Sequence, residues 1–185
     1  TITMDVDHNN DASDITGAGG TEQVTMADAS GAAMSFNGGA GVATDTDTIT
    51  TTTDHGFVTG DAVTYRLPDS GTVPTGLTSG TVYYVVRTGA DTLKLATSYD
   101  NAVAGTVVII TGAGATNGHV LSKTVVAHDN VETYVLAAGT NEIRINANDT
   151  DTNVTGGSGA DTVDVADLTV TGTYNLAGGS DVISA

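Results

Sequence analysis

The run Gly156-Gly157-Ser158-Gly159-Ala160-Asp161-Thr162-Val163-Asp164 is where chemistry is most concentrated in this sequence. Glycines turn a chain tightly and leave backbone carbonyls exposed. A carboxylate at Asp161 would complete an oxygen cage for a hard cation, with Val163 pointing into a core. Gly157, Gly159, Asp161 and Asp164 are therefore candidate metal-site residues, and calcium is the candidate cofactor. Asp181, in the shorter corner Gly178-Gly179-Ser180-Asp181, joins them. Two oxygen-rich clusters add Asp5 and Asp7, in Asp5-Val6-Asp7-His8-Asn9-Asn10-Asp11, and Asp149 and Asp151, in Asn146-Ala147-Asn148-Asp149-Thr150-Asp151. Close carboxylates repel unless solvated or bridged by a cation. The plainer alternative is a set of glycine corners and solvated aspartate turns with no ion.

Other chemistry finds little support. His8, His55, His119 and His128 show no zinc-ligand spacing and read as polar turn residues. No H-E-x-x-H and no G-x-S-x-G occurs. Carboxylates can be paired on paper for glycoside hydrolysis, but nothing selects a pair. Asn148 and Asn153 fit the N-glycosylation pattern, which an Asn/Thr-rich chain meets by chance. The expectation is a protein that is not an enzyme.

The elements that must carry these corners are β-strands. The 185 residues include 34 Thr and 24 Gly but only two Pro, and just 15% are charged. Threonine is β-branched and suits a pleated surface; Gly, Asp and Asn supply turns. Nineteen of the 22 acids are Asp, the exceptions being Glu22, Glu132 and Glu142. With five basic residues the formal charge is −17, which disfavours nucleic acid and anionic bilayers as partners. No stretch approaches a membrane span, and no basic segment followed by an apolar run opens the sequence as a signal peptide would. Without cysteine there is no disulfide framework.

Repeats organise the chain. Shifted by 139 residues, Ile15–Asp28 falls without a gap on Val154–Asp167, and Met34–Gly39 falls on Tyr174–Gly179 after a one-residue slip. A shorter period spaces the anchors Leu136, Val154 and Leu176 by 18 and 22 residues, each followed by a small-residue corner and an alternating strand. A period near 20 with one glycine corner per turn predicts stacked coils, since one coil cannot bury its apolar face alone. A β-sandwich with similar hairpins is the alternative. The counterpart of Tyr134–Gly139 in the first copy would lie before Thr1, so a longer tandem array is expected.

Residues 46–124 match neither end. Short alternating strands such as Ala62–Leu67, Val82–Arg87 and Thr92–Ala96 alternate with turn clusters, predicting a small β-sandwich or barrel. The strings His55–Tyr65, Gly76–Val86, Ala90–Thr97 and Asn101–Thr106 resemble a β-module of very large bacterial surface proteins, similar also to modules of phage tail and fibre proteins. The resemblance spans about residues 54–112 and implies a spacer or display role without catalytic residues. The Gly156–Asp164 nonapeptide in turn resembles the repeats of RTX-type secreted proteins, which implies calcium.

The sequence thus predicts an all-β protein: β-solenoid or β-roll-like coils over 1–45 and 125–185, with a β-sandwich or barrel module inserted at 46–124. The expected function is structural: an extracellular repeat unit of a bacterial surface layer, filament or giant adhesin, with calcium as candidate stabiliser. Self-association end to end is the expected partnership, with surface polysaccharide a further candidate and no nucleic acid or membrane insertion. The alternatives are a phage virion protein (tail fibre, whisker or decoration) and a glycan-binding β-helix module.

Overall fold

The computed structural model describes residues 2–4, 23–26, 33–67, 71–115, 118–126, 133–145, 152–165 and 172–185. The protein is all-β apart from one short helix and a single 3-10 turn among the described residues. In chain order the strands are β1 (Ile2–Met4), β2 (Gln23–Met26), β3 (Ala33–Phe36), β4 (Val42–Ala43), β5 (Thr48–Thr50), β6 (Ala62–Arg66), β7 (Thr81–Arg87) and β8 (Thr92–Ala96). The helix α1 (Tyr99–Ala104) follows. Then come β9 (His119–Lys123), β10 (Val125–Val126), β11 (Thr133–Val135), β12 (Asn141–Ile145), β13 (Asn153–Thr155), β14 (Asp161–Val165), β15 (Tyr174–Asn175) and β16 (Val182–Ser184). No helix among the described residues is long and apolar enough to cross a membrane.

Two compact units result: Thr1–Ala32 with Thr124–Ala185, and Ala33–Lys123. Among the described residues every strand pairing of the first is parallel. One sheet runs β1-β2-β11-β13-β15 and the other β10-β12-β14-β16. From β11 onward the chain alternates between the two sheets. Thr133, Asn153 and Tyr174 open strands of one sheet, and eight residues after each a strand of the other begins. Tyr134 therefore pairs with Val154 and Val154 with Tyr174, while Ile143 pairs with Val163 and Val163 with Ile183. From β11 onward cross-strand neighbours are twenty residues apart, whereas Val125 pairs with Ile143 eighteen residues on and Ile2 with Val24 twenty-two residues on.

This register has a packing cause. Strand side chains alternate between faces, so Ile143, Ile145, Val163 and Val165 all turn inward. They join Val125, Tyr134, Leu136, Val154 and Leu176 in one core. Each fully buried side chain of this size contributes about 1.5–3 kcal/mol. The anchors picked out at spacings of 18 and 22 are not one column, however. Val154 stands between Tyr134 and Tyr174. Leu176 instead lies against Gly156, where a Cβ would come within 2.8 Å of the Leu176 Cα.

The second unit is one antiparallel sheet in the order β3-β9-β6-β7-β8-β5-β4. Phe36 also bridges Thr51, and Thr52 N donates to the Ser35 carbonyl at 3.0 Å, bringing β3 to the residues that follow β5. Its core gathers Phe36, Ile49, Phe57, Val63, Tyr65, Val85, Leu93, Leu95, Ile110 and Leu121. The sequence reading starts this module at residue 46. In the structure its sheet already includes β3, whose Ala33–Phe36 pair with Ser122–His119, and β4. The match of Met34–Gly39 to Tyr174–Gly179 thus joins an antiparallel strand to a parallel one. Likewise Gln23–Met26 matches Thr162–Val165 in sequence but lies in the other parallel sheet. Apolar alternation is the same in all of these strands, so it does not reveal the partner.

Helix α1 is too short to carry a 3.6-residue pattern. Ser98 caps it, its Oγ accepting from Asn101 N at 3.2 Å, and Gly105 ends it at φ +74°.

Candidate functional site

Three polar residues open successive strands of the first unit's smaller sheet or precede them: Asn141, Asp161 and Asp181. They form one hydrogen-bonded column. Asn141 Nδ2 donates to Asp161 Oδ1 at 2.7 Å, and Asp161 N donates to Asp181 Oδ1 at 3.0 Å. Asp161 and Asn141 also serve their own corners. Asp161 Oδ2 accepts from Gly157 N at 3.1 Å, and Asn141 Nδ2 reaches the carbonyls of Ala137 and Gly139 at 2.9 and 3.0 Å. Asp161 is fully buried, so these bonds supply the satisfaction that a buried carboxylate requires.

The glycines have a steric role in the same place. A Cβ on Gly157 would lie 3.0 Å from the Ala138 Cα and closer still to the Ala137 carbonyl. One on Gly159 would lie 2.8 Å from the Gly139 Cα and closer to its carbonyl. Successive corners therefore touch backbone to backbone, which only glycine permits.

The candidate metal-site residues are only partly brought together. Asp161, Asp181, Gly157 and Gly159 share the corner column. Asp164 does not: strand alternation puts it on the other face of β14, where it pairs with Arg144 and accepts from Ser184 Oγ at 3.3 Å. That pair is partly exposed and contributes less than about 1 kcal/mol. Asp5, Asp7, Asp149 and Asp151 lie outside the described residues. Among the described residues no three His, Cys, Asp or Glu side chains gather as a cation site. A cation at Asp161 would compete with the N–H donors that its two carboxylate oxygens already accept.

The described histidines are not turn residues exposed to solvent. His55 is buried, its Nδ1 accepting from Phe57 N at 3.0 Å and its Nε2 facing the Thr92 carbonyl at 3.3 Å. His119 lies within β9, stacked on Phe36 with ring centroids 4.8 Å apart. Its Nε2 faces the Ala115 carbonyl at 2.9 Å and its Nδ1 the Tyr65 hydroxyl at 2.8 Å. Donation from Nε2 leaves Nδ1 to accept the Tyr65 proton. His8 and His128 lie outside the described residues. Asn153, in one glycosylation pattern, accepts from Thr173 N at 2.9 Å.

Burial, with the nearby Tyr83, pushes the Tyr65 hydroxyl up to about 12. A folded value above the unfolded one means that the stabilisation is complete below pH 10 and disappears as pH rises through 12. The shift corresponds to about 2–3 kcal/mol. Melting temperature should therefore fall steeply between pH 10 and 12. In Tyr65→Phe much of that slope should be missing, although Tyr84, also raised by burial, retains a share. Equal slopes in the two proteins would contradict the assignment.

Sequence reasoning missed a buried ion pair in the second unit. Lys123 Nζ lies 3.1 Å from Asp61 Oδ2, with side-chain exposures of 7% and 0%. Asp61 Oδ2 also accepts from Val58 N at 2.8 Å. One signal was available: Lys123 is two residues from the core residue Leu121 in a strand, hence on the same face.

Compared with protein-family models, curated proteins and solved structures, the chain matches none.

Proposed function

We propose that this chain is a non-enzymatic structural module of an extracellular assembly, such as a bacterial surface layer, filament or giant adhesin. In this reading the parallel unit is a β-solenoid-like stack of two-strand coils that carries load along its axis. The observation that carries it is the repeated register over β11–β16: five hydrogen bonds or ion pairs between side chains and neighbouring strands each span twenty residues. One corner shape and one side-chain column repeated at that interval suit stacking, in which each repeat buries the face of its neighbour.

The order of the chain supports an inserted module. β2 neighbours β11 in one sheet and β10 neighbours β12 in the other. The whole of Ala33–Lys123 intervenes between β2 and β10. The antiparallel unit thus occupies the place that a corner of a few residues fills in the later coils. In chain order, then, a stack-forming unit is interrupted by a separately folded module.

Antibody labelling tests the reading. Antibodies to the chain should label intact producing cells and a sheared surface fraction. Labelling confined to virions or to the cell interior would overturn it. Calcium belongs to this proposal through Asp161, Asp181, Gly157 and Gly159, displacing the Asn141 amide from Asp161. A thermal melt in millimolar calcium, repeated with chelator, reads that directly. A rise of several degrees that is lost in Asp161→Asn marks a cation. An unchanged transition leaves the corner held by hydrogen bonds alone.

A further inference from the structure

Both strand columns of the parallel unit can be counted coil by coil. One runs Val24, Tyr134, Val154, Tyr174 and the other Val125, Ile143, Val163, Ile183. In three coils the step from the first column to the second is nine residues: Tyr134 to Ile143, Val154 to Val163 and Tyr174 to Ile183. From Val24 to Val125 the step is 101 residues, which is 92 more than the nine its neighbours need. The antiparallel unit, delimited by its own packing as Ala33–Lys123, has 91 residues. Register and compactness are independent measures, and they agree to one residue.

We infer that Ala33–Lys123 is a removable cassette set into a coil that is complete without it, and that the junction of Gly31 with Thr124 is an insertion site for a separately folded domain. The inference goes beyond the structural reading, since it holds for any assembly that the stack serves. Taking out residues 32–123 brings Val24 and Val125 to the nine-residue step of the other coils. Met26-Ala27-Asp28-Ala29-Ser30-Gly31-Thr124 then matches Leu136-Ala137-Ala138-Gly139-Thr140-Asn141-Glu142 in length. An apolar residue opens both runs, Met26 in one and Leu136 in the other. Ala27 falls on Ala137 and Ala29 on Gly139, so small residues recur at the positions where later corners meet backbone to backbone.

The two ends of the module suit such a site. Ala33 and Ser122 are partners in the antiparallel pair of β3 and β9. Cα atoms of such partners lie about 4.5–5.5 Å apart. A coil opened there has to span little more than the ~3.8 Å of one peptide link. Insertions succeed where the ends of the guest lie close together and the core of the host is untouched. Here each unit has a core of its own: Tyr134, Ile143 and Val163 belong to the stack, Phe36, Tyr65 and Leu121 to the module. The buried pair of Lys123 with Asp61 also lies wholly within the cassette.

Hydrogen exchange read by mass spectrometry on the full chain tests this. Lys123→Ala should speed exchange by about tenfold or more in peptides from 33–123 and leave those from 133–185 unchanged. Gly159→Ala should do the reverse. Exchange quickened in both sets by either substitution would reveal one cooperative unit and overturn the inference. The chain lacking residues 32–123 then reads the stack alone. It should keep a β-type far-UV spectrum and melt within about 5 °C of the stack's transition in the full chain. An unfolded product would overturn the inference too, since the coil would then need its guest. Neither result touches the surface assignment, which the antibody labelling reads separately.

Discussion

Lys123→Ala is expected to destabilise the antiparallel unit by about 3–5 kcal/mol, the usual cost of leaving a buried charge without its partner. The reason lies in where the pair sits. Val63 pairs with Lys123 across β6 and β9, and Asp61 is two residues from Val63. All three residues share the face that carries Tyr65 and Leu121 into the core. Lys123 supplies Asp61 with an ammonium at 3.1 Å in a place where water does not reach. Replacing both partners, as Asp61→Leu with Lys123→Met, should restore much of the loss, because paired desolvation roughly offsets paired attraction. Urea unfolding followed by tyrosine fluorescence measures this. Four of the six tyrosines, Tyr65, Tyr83, Tyr84 and Tyr99, belong to this unit, and there is no tryptophan to mask them. A loss under about 1 kcal/mol for Lys123→Ala would mean the pair is effectively solvated.

Gly159→Ala should cost the parallel unit about 3 kcal/mol, at the upper end of ordinary overpacking. The added Cβ meets the backbone of Gly139, and backbone cannot rotate aside as a side chain can. Relief requires the two corners to separate, which weakens the bonds that Asn141 and Asp161 make between them. Gly178→Ala is the matched control. It lies in the last corner with nothing within 4 Å of its Cβ, and its φ is not positive. It should be neutral or slightly stabilising, since alanine restricts the unfolded chain. Far-UV circular dichroism melts of the two variants separate the cases, and equal melting temperatures would refute the role given to the corner.

Some of the candidate site was legible before any coordinates. The glycine-rich run over 156–164 reads as a tight corner, and Gly157 and Gly159 stand at a close backbone approach. Asp161 stands out in the sequence for its carboxylate, which in the structure accepts N–H groups from Gly157 and Asn141. Asn141 carries no such signal in the sequence, because a neutral amide has no charge and its role depends on a residue twenty positions away. Proximity in sequence groups Asp164 with Asp161, whereas the pleat of β14 sends them to opposite faces. His119 read as a turn residue because its partners, Tyr65 and Ala115, come from other segments.

What the sequence by itself determined is the class of structure and its local grammar. Threonine-rich alternation requires strands, and the Gly/Asp clusters require turns. The scarcity of long helical patterns follows, and α1 remains short. Only the tertiary structure decided the partners. A strand's apolar alternation has a period of two residues, so it fits any neighbour of like alternation. The twenty-residue register, the parallel pairing of one unit and the antiparallel pairing of the other arise when corners of fixed length, close-packed glycines and columns such as Asn141–Asp161–Asp181 meet in space. The pairing of Asp61 with Lys123 is of the same kind: neither residue's neighbours in the chain announce it, and the energy that holds it exists only once a shared core has excluded water.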